Sequence, residues 1–122
     1  MTSQIWLIGI GGFFGAIARY YLNQYFSRYK LFPVGTFLVN TTGSFIMGLL
    51  LGIDWISDST RVLVGTGFLG AYTTFSTFNF ELFMLKRNRR QFQFFLYFVS
   101  SYFFGILLAF LGYSITNDYI HH

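Results

Sequence analysis

Four apolar stretches separated by short polar breaks make up almost the whole chain. They run roughly from Ile5 to Leu22, from about Pro33 to Ile53, from about Val62 to Met84 and from about Phe92 to Ser114. Each is about 20 residues, the length a helix needs to cross the hydrocarbon core of a bilayer. The breaks are Ser27-Arg28-Tyr29-Lys30, Asp54 to Arg61, and Lys86 to Arg90. Connections this short make neighbouring helices antiparallel. The stretches are continuously apolar and lack the alternation of membrane strands, which argues against a β-barrel. Pro33 stands where it suits the first turn of the second helix. The pattern predicts an all-α membrane protein in which residues 1–122 form a single four-helix transmembrane domain.

Composition agrees. Charged residues are 10% of the chain, against about a quarter in a soluble domain, too few to cover a globule in water. The absence of cysteine removes disulfides and thiolate metal sites. His121 and His122 are the only histidines, and an adjacent terminal pair does not make a metal site. The net charge of +4 falls in clusters between apolar stretches, where it sets topology rather than binding nucleic acid. The first stretch lacks the basic flank and cleavage site of a signal peptide, so it is expected to stay in the protein.

Small residues are spaced for close packing. Gly11 and Gly15 form one GxxxG pair, Gly48 and Gly52 another, and such pairs let helix backbones approach. Thr36, Asn40 and Ser44 lie four apart on one face of the second helix. An asparagine at membrane depth needs a partner. It is either an interhelical bridge or a donor on an ion path. Asn40-Thr41-Thr42 matches the glycosylation pattern, but a buried helix is no acceptor site.

The third stretch reads Gly65-Thr66-Gly67-Phe68-Leu69-Gly70-Ala71-Tyr72-Thr73-Thr74-Phe75-Ser76-Thr77-Phe78. Its glycines and hydroxyl residues are poor material for a helix interior. A helix broken near Gly70 to Thr74 is expected. At membrane depth such a break is tolerated only where it is buried or lines a cavity. It offers carbonyls to a cation at the end of its first half and N–H groups to an anion at the start of its second. Phe75 and Phe78 share a face just after the break. Phenylalanines usually meet lipid or core, but Thr73, Thr74, Ser76 and Thr77 around them are not lipid-facing company. In the fourth stretch Tyr97, Ser101 and Gly105 form a hydroxyl-bearing, small-residue face.

These residues match a family. Gly11-Gly12-Phe13-Phe14-Gly15-Ala16-Ile17-Ala18-Arg19-Tyr20 resembles the first-helix signature of the Fluc (CrcB) fluoride channels. Gly35 to Phe45, GTFLVNTTGSF, is similar to their second-helix motif, and Gly67 to Phe78, with its uninterrupted TTFSTF, resembles the third. The resemblance implies an antiparallel, inverted dimer with two narrow fluoride pathways, passive export of fluoride from the cytoplasm, and residence in the cell membrane. Carried over by position, it implies that Asn40 contacts fluoride and that Phe75 and Phe78 supply an aromatic box. It assigns Tyr97 and Ser101 to a polar track and Arg19 to a vestibule. It also implies that the carbonyls of Gly70 and Thr73 hold a structural sodium ion on the dimer axis.

The chemistry of fluoride is consistent with this set. The ion is small, strongly hydrated and accepts hydrogen bonds only. Asn40, Ser101, Thr77 and Tyr97 can donate in place of water. Phenyl rings carry a positive edge that can meet an anion. A narrow apolar constriction rejects larger anions by size and dehydration cost. The rival is a small four-helix multidrug-type exporter, also an inverted dimer. It would need an acid at depth in the first helix, which has none, and Glu81 is the only acid within an apolar stretch. An enzyme is not expected, since no nucleophile–base pair or metal set exists.

Charge bears on the partner. The first and third loops hold Arg28, Lys30, Lys86, Arg87, Arg89 and Arg90, while Arg61 is alone on the opposite face. The positive-inside rule places those loops in the cytoplasm. A chain held in one orientation does not readily pair antiparallel with itself, which points to a homologous subunit of opposite charge bias. The other reading is that these charges merely anchor helix ends in a homodimer, and the sequence leaves both open.

Overall fold

A computed structural model describes residues 2–26 and 33–121. The expected first loop, Ser27 to Lys30, lies outside the described residues, as do His122 and the side chain of His121. The regular structure among the described residues is all helical: α1 (Thr2–Tyr25), α2 (Val34–Leu51), α3 (Asp58–Thr60), a π-helical run (Arg61–Leu69), α4 (Gly70–Tyr72), α5 (Phe75–Arg87) and α6 (Gln91–His121).

Among the described residues three helices are long and apolar enough to cross a membrane, over Gln4–Tyr25, Val34–Leu51 and Gln91–Tyr119. The protein is a multi-pass membrane protein. At 1.5 Å per residue α6 is roughly 46 Å long, more than the ~30 Å hydrocarbon core, so it tilts or projects beyond the core. Only 11% of the α1 window and 6% of the α6 window are buried, against 33% of α2. So α2 is the central helix, and the outer two turn Phe13, Phe14, Phe103, Ile106 and Phe110 outward. In water such exposure would be ruinous; against lipid it costs nothing.

The third apolar stretch is the exception. No single helix within it reaches spanning length; it is divided among the π-helical run, α4 and α5, with the short α3 just before it. Ser57 caps its entry by accepting from the Thr60 N–H at 3.2 Å, and Arg61 ties the preceding loop down by donating to the Ile53 carbonyl.

Glycines sit where backbones cross. α1 packs on the π-helical run, and a methyl group at Gly11 would strike the Leu63 carbonyl, one at Gly15 the Phe68 carbonyl. α2 packs on α6, where a methyl at Gly48 would strike the Ala109 carbonyl. Two apolar cores result. Val39, Leu69 and Tyr72 join α2 to the π-helical run and α4, with Ala18 and Leu22 of α1 against them. Phe78, Leu82 and Tyr97 join α5 to α6, with Phe37 of α2 alongside.

Candidate functional site

The two cores are separated by two extended residues. α4 ends at Tyr72; Thr73 has φ −80° and ψ 156°, Thr74 has φ −145° and ψ 112°, and α5 begins at Phe75. Gly70 remains helical, at φ −61° and ψ −38°.

The backbone accounting at this point is specific. In a continuous helix the Thr74 N–H would close on the Gly70 carbonyl and the Thr77 N–H on that of Thr73. Both are diverted. The Thr74 N–H donates to Asn40 Oδ1 at 2.9 Å. The Thr77 N–H donates to Thr74 Oγ1 at 3.3 Å, so Thr74 caps α5. The Thr74 hydroxyl in turn donates to Thr77 Oγ1 at 3.0 Å. Asn40 completes a second bond, from Nδ2 to the Thr74 carbonyl at 3.2 Å. The break thus takes the helical donors from the carbonyls of residues 70 to 73, those of Gly70 and Thr73 among them. Gly70 and Thr73 are the two of these residues that line a shallow cavity of about 500 Å³, with Gly43, Met47 and Leu69.

A second cavity of about 430 Å³ opens beside the break. Its walls are Asn40 and Ser44 of α2, Thr73 and Thr74 of the break, Phe75 and Phe78 of α5, and Ser101, Tyr102 and Gly105 of α6. Helical spacing explains the convergence: Asn40 and Ser44 are one turn apart, as are Ser101 and Gly105. Ser101 Oγ is buried and has no hydrogen-bond partner among the described residues. A buried hydroxyl without a partner costs about 1–3 kcal/mol, and Ser101 is one of the residues that line this cavity.

The two phenylalanines differ. Phe78 is 4% exposed and its ring meets Tyr97 at 5.0 Å and Tyr102 at 5.9 Å, both edge-to-face. Such contacts fix the direction of a ring edge. Phe75 is 68% exposed, on the open side of the cavity.

Of the residues singled out from sequence, Asn40, Phe75, Phe78, Ser101 and Thr73 gather at this cavity. Thr77 stands just behind it, bonded to Thr74. Tyr97 is fully buried and is not among the residues lining the cavity; it packs against Phe78 and donates to Glu81 Oε1 at 3.0 Å. Arg19 lies elsewhere, in a depression on α1 with Tyr20, Asn23 and Gln24. Gly70 borders the neighbouring cavity. Tyr102 and Glu81 are functional candidates that the sequence reading does not single out as site residues. Glu81 stands three residues after Phe78, so it belongs to the same helix face, a signal the sequence did carry. Among the described residues no group of three or more His, Cys, Asp or Glu could hold a metal ion.

Many known proteins resemble the chain over most of its length, and three illustrate the likeness. A Bacillus cereus protein named fluoride-specific ion channel FluC 2 is 44% identical over 108 residues, 87% of this chain and 91% of that one. A Geobacillus kaustophilus protein named fluoride-specific ion channel FluC 1 is 43% identical over 109 residues, 88% and 93% of the two chains. The Pyrococcus abyssi fluoride-specific ion channel FluC is 43% identical over 115 residues, 91% and 94%. Residues 6–113 match the family described as CrcB-like protein, Camphor Resistance (CrcB). With the match running from the first apolar helix through most of the last, this membrane protein belongs to the CrcB family.

Proposed function

We propose that the chain is one subunit of a fluoride-selective channel that passively releases fluoride from the cytoplasm through two narrow pores of an inverted dimer. The observation that carries this reading is the cavity at the break. There the residues of an amide, an unpartnered buried hydroxyl and two phenyl rings line one cavity, with no acid among the lining residues. An acceptor-only anion finds donors from Asn40 and Ser101 and ring edges from Phe75 and Phe78. Tyr97 and Thr77 would continue the polar path beyond Phe78, and Arg19 would draw anions toward a vestibule. The names of the relatives point the same way.

In this reading the third apolar stretch is one membrane span, broken at Thr73 and Thr74. The partner is an inverted second subunit, and the charge bias of the loops favours a homologue of opposite bias over a second copy. The test is fluoride release from liposomes by the chain reconstituted alone and with such a homologue, with chloride as the control. Release of fluoride without chloride in either preparation supports the reading; release in neither, or equal release of both ions, removes it.

A structural sodium ion completes the proposal. Carbonyl oxygens suit a hard cation, and the carbonyls of Gly70 and Thr73 have lost their helical donors. One chain contributes two such oxygens, and a second across the dimer axis would double the set. The bound cation would offset the charge of anions held in a low-dielectric environment. Prolonged removal of sodium is expected to slow fluoride release about tenfold, with recovery on adding sodium back; an unchanged rate in sodium-free membranes would count against the site.

A further inference from the structure

We propose that Asn40 is a positioning residue as well as a donor: its amide grips the Thr74 peptide and holds the break open, and this grip aims its remaining N–H into the cavity. The inference rests on the fluoride reading and deepens it. An extended residue presents its N–H and C=O to the same side, as in a hydrogen-bonded pair of strands. Thr74 is extended, and Asn40 meets both groups at once, accepting at 2.9 Å and donating at 3.2 Å across 34 positions of sequence. The orientation of the amide follows from chemistry, because only Oδ1 can accept from the Thr74 N–H.

Two consequences follow. First, a carboxamide nitrogen carries two hydrogens. One goes to the Thr74 carbonyl, and the geometry leaves the other for the cavity that Asn40 lines. A free amide would swing; this one cannot. Second, the grip selects between two backbone states. If Asn40 lets go, the Thr74 N–H can return to the Gly70 carbonyl and close the helix. That would occupy one of the exposed carbonyls and turn Phe75 and Phe78 about the helix axis.

The decisive perturbation leaves the Asn40 side chain intact. Replacing Thr74 with its α-hydroxy analogue converts one backbone amide to an ester; it removes the N–H that Asn40 accepts from and weakens the Thr73 carbonyl, so rates are read at saturating sodium, where a weakened sodium site is filled. The same replacement at Phe75 keeps that N–H and weakens the Thr74 carbonyl as an acceptor. An ester at Ile46, within α2 and facing outward, deletes an ordinary helical N–H as the control. Each protein is reconstituted, in whichever assembly conducts, at less than one channel per liposome. The fraction of liposomes that empty then counts folded channels, and the initial rate reports each channel.

The expected result is a rate per channel about tenfold lower for the ester at 74, and a smaller loss for the ester at 75, with the emptying fraction unchanged. Asn40→Leu, which removes grip and donor together, is slower still. The Ile46 ester keeps the parent rate. A rate within twofold of the parent for both the 74 and 75 esters, or a loss confined to the emptying fraction, overturns the positioning role. A parent protein that releases no fluoride alone or with a homologue instead overturns the reading beneath it.

Discussion

Replacing Phe75 and Phe78 together with isoleucine is expected to slow fluoride release about a hundredfold per channel. Edge contacts of aromatic rings are worth about 1.5 kcal/mol at the upper end, and ~1.4 kcal/mol is a factor of ten in rate. Each single substitution should therefore cost about tenfold. Isoleucine keeps most of the volume, so the packing penalty at Phe78 stays under about 1.5 kcal/mol and the helix pair survives. The contacts that hold Phe78, to Tyr97 and Tyr102, should make its loss felt even within one subunit. Phe75 is exposed on a single chain, so its effect should depend on the partner that covers it. Phe103→Ile, on the outward face of α6, should leave the rate unchanged. Parent rates from both single variants, with the emptying fraction intact, would remove the aromatic-box assignment.

The spans announced themselves in sequence because membrane crossing is a constraint on length and apolarity alone. α1, α2 and α6 follow the expected stretches to within a few residues at most ends. The third stretch could not be resolved the same way. Its glycines marked a region from Gly70 to Thr74, yet Gly70 is helical and the extended residues are Thr73 and Thr74. Local propensity costs about 1 kcal/mol per glycine and is overruled by contacts. What fixes the position is Asn40, 34 residues away, and no window of sequence contains both partners. The π-helical run Arg61–Leu69 was equally invisible. Its packing against Gly11 and Gly15 is a relation between two helices rather than a property of either. Periodicity grouped Thr36, Asn40 and Ser44, and Tyr97, Ser101 and Gly105; the cavity takes Asn40, Ser44, Ser101 and Gly105 but not Thr36 or Tyr97. It could not tell that Phe78 would meet Tyr97, because a shared face says nothing about which helix crosses it, or where.

The chain expressed alone is expected to insert in one orientation and to release no fluoride. Lys86, Arg87, Arg89 and Arg90 crowd the turn between α5 and α6, and all of them are exposed. Lys86 and Arg87 close the last turn of α5, and Arg89 adopts a left-handed conformation, φ 59°, so the turn is tight and the four charges stay close together. Arg28 and Lys30, on the same side by connectivity, lie outside the described residues and add to the bias. On the opposite face Arg61 stands alone, and its guanidinium is engaged with the Ile53 carbonyl. A basic loop costs several kcal/mol to translocate, so a bias of six to one should hold nearly every copy with these loops in the cytoplasm. An inverted dimer then needs a subunit that inserts the other way. The chain has no cysteine, so Asn88→Cys in that turn is a single reporter without further engineering. It should react with a membrane-impermeant thiol reagent only after the cells are opened, and fluoride release should appear only when a homologue of opposite bias is co-expressed. Equal labelling from both faces, or fluoride release by the lone chain, would rule out an obligate partner.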